Sequence, residues 1–269
     1  MKVNFPEKYK DFHPVKELNF QFNRFAAGIR DEDVLAMAPR IKNYADWKRE
    51  NLSIAALAEK ERRFINAASY YRLAEFFMDP RDPDKNKAYE KFTGLMNDLY
   101  KNENIKRISI PYKNAYLPAV SLKGVGKKGT IVMHGGFDSF IEELYPVMIY
   151  LKSSGYDIIA FEGPGQGAML KKQGTSMTHE WEKPVAAVLD YFKVSDVTLV
   201  GMSLGGYLAL RGGLLPGVQL DYRALSDAHQ PAQGREYQRL AELVLRRNLL
   251  PHRTIRDGGE GCQTIAGLA

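Results

Sequence analysis

The sequence predicts an α/β fold, a mostly parallel sheet preceded by an N-terminal helical segment, on three observations. Residues 1–104 place apolar side chains at three- and four-residue steps and contain no alternating runs. Three short apolar stretches of the fully buried type then follow, at residues 130–133, 157–161 and 197–200. Each is followed by glycine, and helical periodicity lies between them. Strands that alternate with helices are the pattern of a parallel sheet covered on both faces.

Taken in order, Asp31 or Asp33 can cap a helix that carries Val34, Met37, Ile41, Tyr44 and Trp47 on one face. A second helix is expected from about Ser53 to about Met78, where Asp79-Pro80 stops it. After the turn Arg81-Asp82-Pro83-Asp84, a third helix is marked by Tyr89, Phe92, Leu95, Met96 and Leu99. These aromatic stripes read as core, or as a face packed on the next unit. Ile108-Ser109-Ile110 and residues 117–122 read as a strand pair joined through residues 111–116. Ile141, Leu144, Tyr145, Met148 and Leu151 form a helical stripe after the first buried strand. Trp181, Val185, Val188, Leu189 and Phe192 form another before the third. In such a sheet the ligand crevice lies at the carboxyl ends of the parallel strands.

Composition narrows the function classes. The chain has 269 residues, 45% of them hydrophobic and 26% charged, with no apolar run of the roughly 18 residues that a membrane span needs. Its first twenty residues are charged and proline-broken, so no signal peptide is expected and the default location is the cytoplasm. A lone cysteine, Cys262, excludes an internal disulfide and a cysteine-rich zinc site. The net charge of +6 comes from acids and bases mixed along the chain, which does not point to nucleic acid.

The strongest chemical signal is Gly201-Met202-Ser203-Leu204-Gly205-Gly206, a G-x-S-x-G directly after a buried strand and before a helical segment. A serine on so tight a strand-to-helix turn is held in a strained conformation with its hydroxyl aimed into the crevice. Flanking glycines let the neighbouring backbone pass closely enough. Ser203 is therefore the candidate nucleophile. At the end of the first buried strand stands His134-Gly135-Gly136-Phe137-Asp138. Acyl transfer needs two N–H donors for the oxygen that becomes negative. The amides of Leu204 and Phe137 are assigned that part, with Gly136 as the alternate. His134 is expected to order its loop and not to act as the base. Glu162-Gly163-Pro164-Gly165-Gln166-Gly167 closes the next strand as a rigid turn, and it lacks the spacing of a nucleotide-binding loop.

These three loops, in this order, resemble those of the α/β-hydrolase superfamily over residues 105–211. The helical segment, together with IPYKNAYLPAVSL, HGGFDSFIEELY and EGPGQG, is similar to a branch that contains 2,6-dihydroxypseudooxynicotine hydrolase, fungal polyketide-shortening hydrolases and FrsA-type esterases. The resemblance implies a helical cap at 1–104 roofing an incomplete α/β-hydrolase core at 105–211. It also implies water-driven cleavage of an ester, or of a carbon–carbon bond next to a ketone, in a small-molecule substrate, without cofactor or metal. Asp138, Glu142 and Glu143 are substrate contacts by the same analogy, or ordinary acids at a helix start.

The catalytic acid and histidine of this superfamily follow the serine. After Ser203 the candidates are Asp221, Asp227 and Asp257 with His229 and His252, and none sits in a convincing two-strand context. No lysine occurs after Lys193, and residues 212–269 hold no Phe, Trp or Met. We read that stretch as an out-of-frame or foreign segment. The competing expectation is a binding protein that keeps the pocket without a base to activate Ser203.

Overall fold

The computed structural model of the chain describes residues 9–126 and 128–220. Five helices come first: α1 (Lys16–Arg24), α2 (Asp31–Met37), α3 (Tyr44–Lys60), α4 (Phe64–Phe76) and α5 (Lys85–Leu99). The single helix expected across residues 31–47 is two, because Pro39 lies in a 3-10 turn after α2 and the side chain of Asn43 restarts the helix by accepting the Asp46 N–H at 2.9 Å. The helix expected over 53–78 is likewise divided between α3 and α4. Between them Arg62 takes the left-handed conformation (φ 61°) and the Arg63 N–H reaches back to the Ala58 carbonyl at 2.8 Å. That is a helix stop usually made by glycine, here made by arginine.

The sheet begins with the antiparallel pair β1 (Lys106–Tyr112) and β2 (Ala115–Leu122). Both strands run longer than the sequence suggests. Pro111 sits inside β1 opposite Tyr116, which is tolerated because β1 is an edge strand that needs no N–H there. Then follow β3 (Thr130–His134), α6 (Tyr145–Ser153), β4 (Asp157–Phe161), α7 (Gly167–Gln173), α8 (Glu182–Phe192), β5 (Val197–Gly201), α9 (Leu204–Gly212) and β6 (Val218–Leu220). The order across the sheet is β1-β2-β4-β3-β5-β6, with β4, β3, β5 and β6 parallel. The sheet thus extends by one strand beyond residue 211. Register sets His134 level with both Phe161 and Gly201, so three loops leave the sheet at one edge.

Alternation divides the strands between two cores. Ile131, Met133, Ile158, Ala160 and Val200 pack with α6 and with the N-terminal helices through Phe22, Trp47 and Leu73. Val132, Ile159, Phe161, Val197 and Leu199 pack with Trp181, Val185, Val188 and Leu208 on the other face. The helical segment and the sheet therefore share one apolar interior.

A polar anchor joins them as well. Arg72 of α4 is 1% exposed. Its Nε donates to Glu143 at 2.7 Å, its Nη1 to Glu75 at 2.7 Å, and its Nη2 to the carbonyl of Asp138. The guanidinium lies 4.2 Å from the centre of the Phe140 ring. Glu143 also receives Arg24 of α1 at 2.8 Å. Burial pushes the Glu143 carboxyl up, but Arg24 and Arg72 together outweigh that and hold it below the usual carboxylate range. Removing one partner of such a buried pair strands the others' charge. Arg72→Met is expected to lower stability by about 3–5 kcal/mol in urea unfolding, and a loss under about 1 kcal/mol would show that the anchor carries no weight.

Candidate active site

The site is built where β3, β4 and β5 end. Directly after β5, Ser203 has φ 58° and ψ −130°, a conformation that side-chain-bearing residues rarely occupy, and it is exposed. The glycines around it are demanded by space. A Cβ at Gly201 would overlap the carbonyl of Gly205, and one at Gly205 would overlap the carbonyl of Gly135. The turn is closed by the Gly206 N–H donating to the Ser203 carbonyl at 2.8 Å. Leu204 opens α9, so its amide is among those that a helix leaves without an internal acceptor.

The loop after β3 lies against this elbow. An ideal Cβ at Gly136 would stand 2.8 Å from the Met202 carbonyl oxygen and 3.0 Å from both the Leu204 nitrogen and the Ser203 Cβ. Only a residue without a side chain lets the two turns meet this closely. Of the residues assigned to acyl transfer, the fold brings Gly136, Ser203 and Leu204 together, with Phe137 next in the chain and its ring exposed.

His134 lies under this junction and is fully buried. Trp181 Nε1–H, which can only donate, points at its Nε2 at 3.2 Å, so Nδ1 carries the proton and donates to the Gly135 carbonyl at 3.0 Å. With both nitrogens engaged it orders the loop, as its position in the sequence suggests. Burial depresses its pKa from 6.5 to about 4.

The turn after β4 ties the pieces. Gln166 donates from Nε2 to the carbonyls of Gly135 at 2.7 Å and Gly136 at 2.8 Å, and its Oε1 accepts the Gly163 N–H at 3.0 Å. Glu162 accepts the N–H groups of Ile141 at 2.9 Å and Ala168 at 2.7 Å. Burial and the charge of nearby Glu142 push the Glu162 carboxyl up.

The three acids past the glycine pair have separate surroundings. Asp138 pairs with Arg24 at 3.1 Å, and Glu143 belongs to the Arg72 anchor. Glu142 is buried, with Arg107 3.6 Å from one oxygen and no partner on the other. It lines a cavity of about 250 Å³ under α5, together with Tyr89, Arg107, Tyr116 and Glu162. Ser203, Gly136, Phe137 and Leu204 are not among its walls.

Gln166, Arg72 and Arg24 were not singled out by sequence reasoning. A signal for the first was a polar side chain within an otherwise glycine- and proline-built loop. For Arg72 it was a lone charge amid Tyr70, Tyr71, Leu73 and Ala74. The candidates Asp221, Asp227, Asp257, His229 and His252 lie outside the described residues.

Comparison with known proteins agrees with this architecture. A family model described as alpha/beta hydrolase family matches residues 131–261, a span that runs through the change of composition after residue 211. The hydrolase acrC of Aspergillus aculeatus is 28% identical over 77% of this chain and 61% of its own length. The 20-hydroxy-prefusarin hydrolase FUS2 of Gibberella moniliformis is 31% identical over 75% of this chain and 58% of its own length. The chain thus spans about three fifths of these curated relatives. Among solved structures, wild-type AbyA5 superposes with a TM-score of 0.64 at 18% identity, covering 77% of this chain and 61% of that one. The 2,6-dihydroxy-pseudo-oxynicotine hydrolase gives 0.56 at 20% identity, covering 74% and 62%. The chain has an α/β-hydrolase fold and is similar in sequence to members of the α/β-hydrolase family. No helix among its described residues is long and apolar enough to cross a membrane.

The buried imidazole makes a pH prediction. Between pH 6.5 and about 4 the unfolded chain binds a proton at His134 that the folded chain refuses, so stability falls on acidification through that window. This share amounts to about 3 kcal/mol across the window. Urea unfolding of the wild type and His134→Gln at several pH values should give a shallower slope for the variant. Equal slopes would place the proton uptake elsewhere.

Proposed function

We propose that the chain forms part of a serine hydrolase of the α/β-hydrolase superfamily. The observation that carries this reading is the strained backbone of Ser203, held at the end of β5 with Gly136 packed against it. A turn that costs conformational energy persists when the surrounding structure over-determines it, and such turns cluster at sites of chemistry. Ser203 Oγ attacks a substrate carbonyl carbon and loses its proton to a histidine other than His134. The carbonyl oxygen turns negative as the tetrahedral intermediate forms, and the amides of Leu204 and Phe137 receive it. Collapse expels the leaving group, with a proton, as an alcohol or as a carbon acid stabilised by its ketone. Water then releases the acyl group and restores the serine.

The substrate class is a small molecule with an ester or a carbon–carbon bond next to a ketone. Relatives named for 20-hydroxy-prefusarin and 2,6-dihydroxy-pseudo-oxynicotine support a small-molecule substrate. Asp138 and Glu142 are the substrate contacts of this reading, Asp138 through its partly exposed carboxylate, while Glu142 lines a cavity whose walls do not include Ser203. The mixed charge and lone cysteine support a cytoplasmic protein with neither nucleic-acid nor membrane partners.

Turnover of p-nitrophenyl esters tests the reading. Ser203→Ala should lower kcat by about 10³-fold or more with an unchanged melt. Turnover that survives the substitution would remove Ser203 from the chemistry. A folded protein with no Ser203-dependent turnover would favour a pocket that binds without catalysis.

A further inference from the structure

One buried side chain controls the direction of the second oxyanion donor. The Gly136 carbonyl and the Phe137 N–H are two ends of one peptide unit. No peptide bond among the described residues is cis, so in this planar unit the two groups point in opposite directions. Whatever holds the carbonyl therefore aims the N–H. The holder is Gln166 Nε2, at 2.8 Å from the Gly136 oxygen. The same nitrogen reaches the Gly135 oxygen at 2.7 Å, which fixes the preceding peptide and with it the Gly136 N–H.

Gln166 has little freedom to do anything else. It is 1% exposed, both of its N–H groups are committed to the two carbonyls, and its Oε1 accepts the Gly163 N–H at 3.0 Å. Rotating the amide by half a turn would set its oxygen against two carbonyl oxygens and its NH₂ against an N–H donor, which leaves several buried groups unpaired. The far end of the loop is held independently by Arg72, which donates to the Asp138 carbonyl. The loop is thus pinned on either side of Phe137, and the amide of Phe137 lies between the pins. The glycines at 135 and 136 make such pinning necessary, because residues without side chains leave their peptides free to rotate.

We propose that Gln166 is a positioning residue for catalysis: by locking the carbonyls of Gly135 and Gly136 it presents the Phe137 amide to the oxyanion. This rests on the serine-hydrolase reading of Ser203. A preorganised donor counts because it need not reorient as the charge develops. Loss of one such donor lowers kcat by roughly 10²- to 10³-fold. Gln166 touches no reacting atom, so its removal should act on kcat through Phe137 and leave ground-state binding alone.

Gln166→Met keeps the length of the side chain and removes all three hydrogen bonds. Gln166→Asn keeps a buried amide but withdraws it by one methylene, and it serves if the Met variant does not fold. Ester turnover, thermal melting and amide hydrogen exchange resolved at Gly136 and Phe137 are measured for each. We expect kcat to fall about 10²-fold in Gln166→Met, with KM within about threefold, and exchange at Phe137 to quicken at least about tenfold while β3 amides keep their rates. The Asn variant should fall between it and the wild type. A folded variant with kcat within about threefold of wild type overturns the proposal. So does a loss of kcat with unchanged exchange at Phe137, or a rise in KM alone. Should the wild type show no Ser203-dependent turnover, the serine-hydrolase reading falls by itself. Exchange at Gly136 and Phe137 still reports whether Gln166 locks the loop, and unchanged rates there would defeat the lock as well.

Discussion

The buried guanidinium of Arg72 is the interaction on which the arrangement of the two halves depends. Apolar packing alone would let the helical segment slide over the sheet, since burial has no preferred direction. Three donors in a rigid fork do have one. Arg72 fits Glu143, Glu75 and the Asp138 carbonyl at once, and Arg24 closes the same cluster from α1. Its partners come from α4 and from the loop that carries the glycine pair. The helices are therefore registered against the same loop that lies on Ser203.

Beneath that anchor the site is a problem of close approach. The level ends of β3 and β5 bring two turns together at backbone distance, and Gly136, Gly201 and Gly205 are the positions where a methyl group would collide. A site made of bare backbone gains nearness and loses rigidity. Its stiffness must come from neighbours, and His134, Trp181 and Gln166 supply it with buried hydrogen bonds. The strain at Ser203 is borne by the same frame.

Much of this was readable in the chain. The buried strands stood out because parallel strands covered on both faces must be continuously apolar, and the glycine loops because close backbone contact excludes side chains. The helix boundaries near Pro39 and Arg62 were not readable. A proline in a 3-10 turn looks like a proline early in a helix, and a left-handed arginine gives no composition signal. Pro111 misled in the same way, since its tolerance depends on β1 being an edge. Ser203, Gly136 and Leu204 were legible as a local pattern. Gln166, Arg72 and the division of labour between Glu142 and Glu143 were not, because the contacts that tie them to the site reach 30 or more residues away in sequence and only the tertiary fold chooses among neighbouring acids.

The span between Arg72 and Glu143 also has a consequence in time. The two residues are 71 positions apart, and Arg24 is 119 positions ahead of the same carboxylate. During synthesis at about 5–20 residues per second, Arg72 emerges roughly 4 to 14 s before Glu143 exists. Over that interval α3 and α4 can pair locally, but burying a guanidinium matched only by Glu75 would leave part of its hydrogen-bonding capacity unmet and would be costly. Emergence of the β3 loop supplies the missing carboxylate. The full set of Arg72 contacts can therefore close only after the loop that the helices brace has emerged.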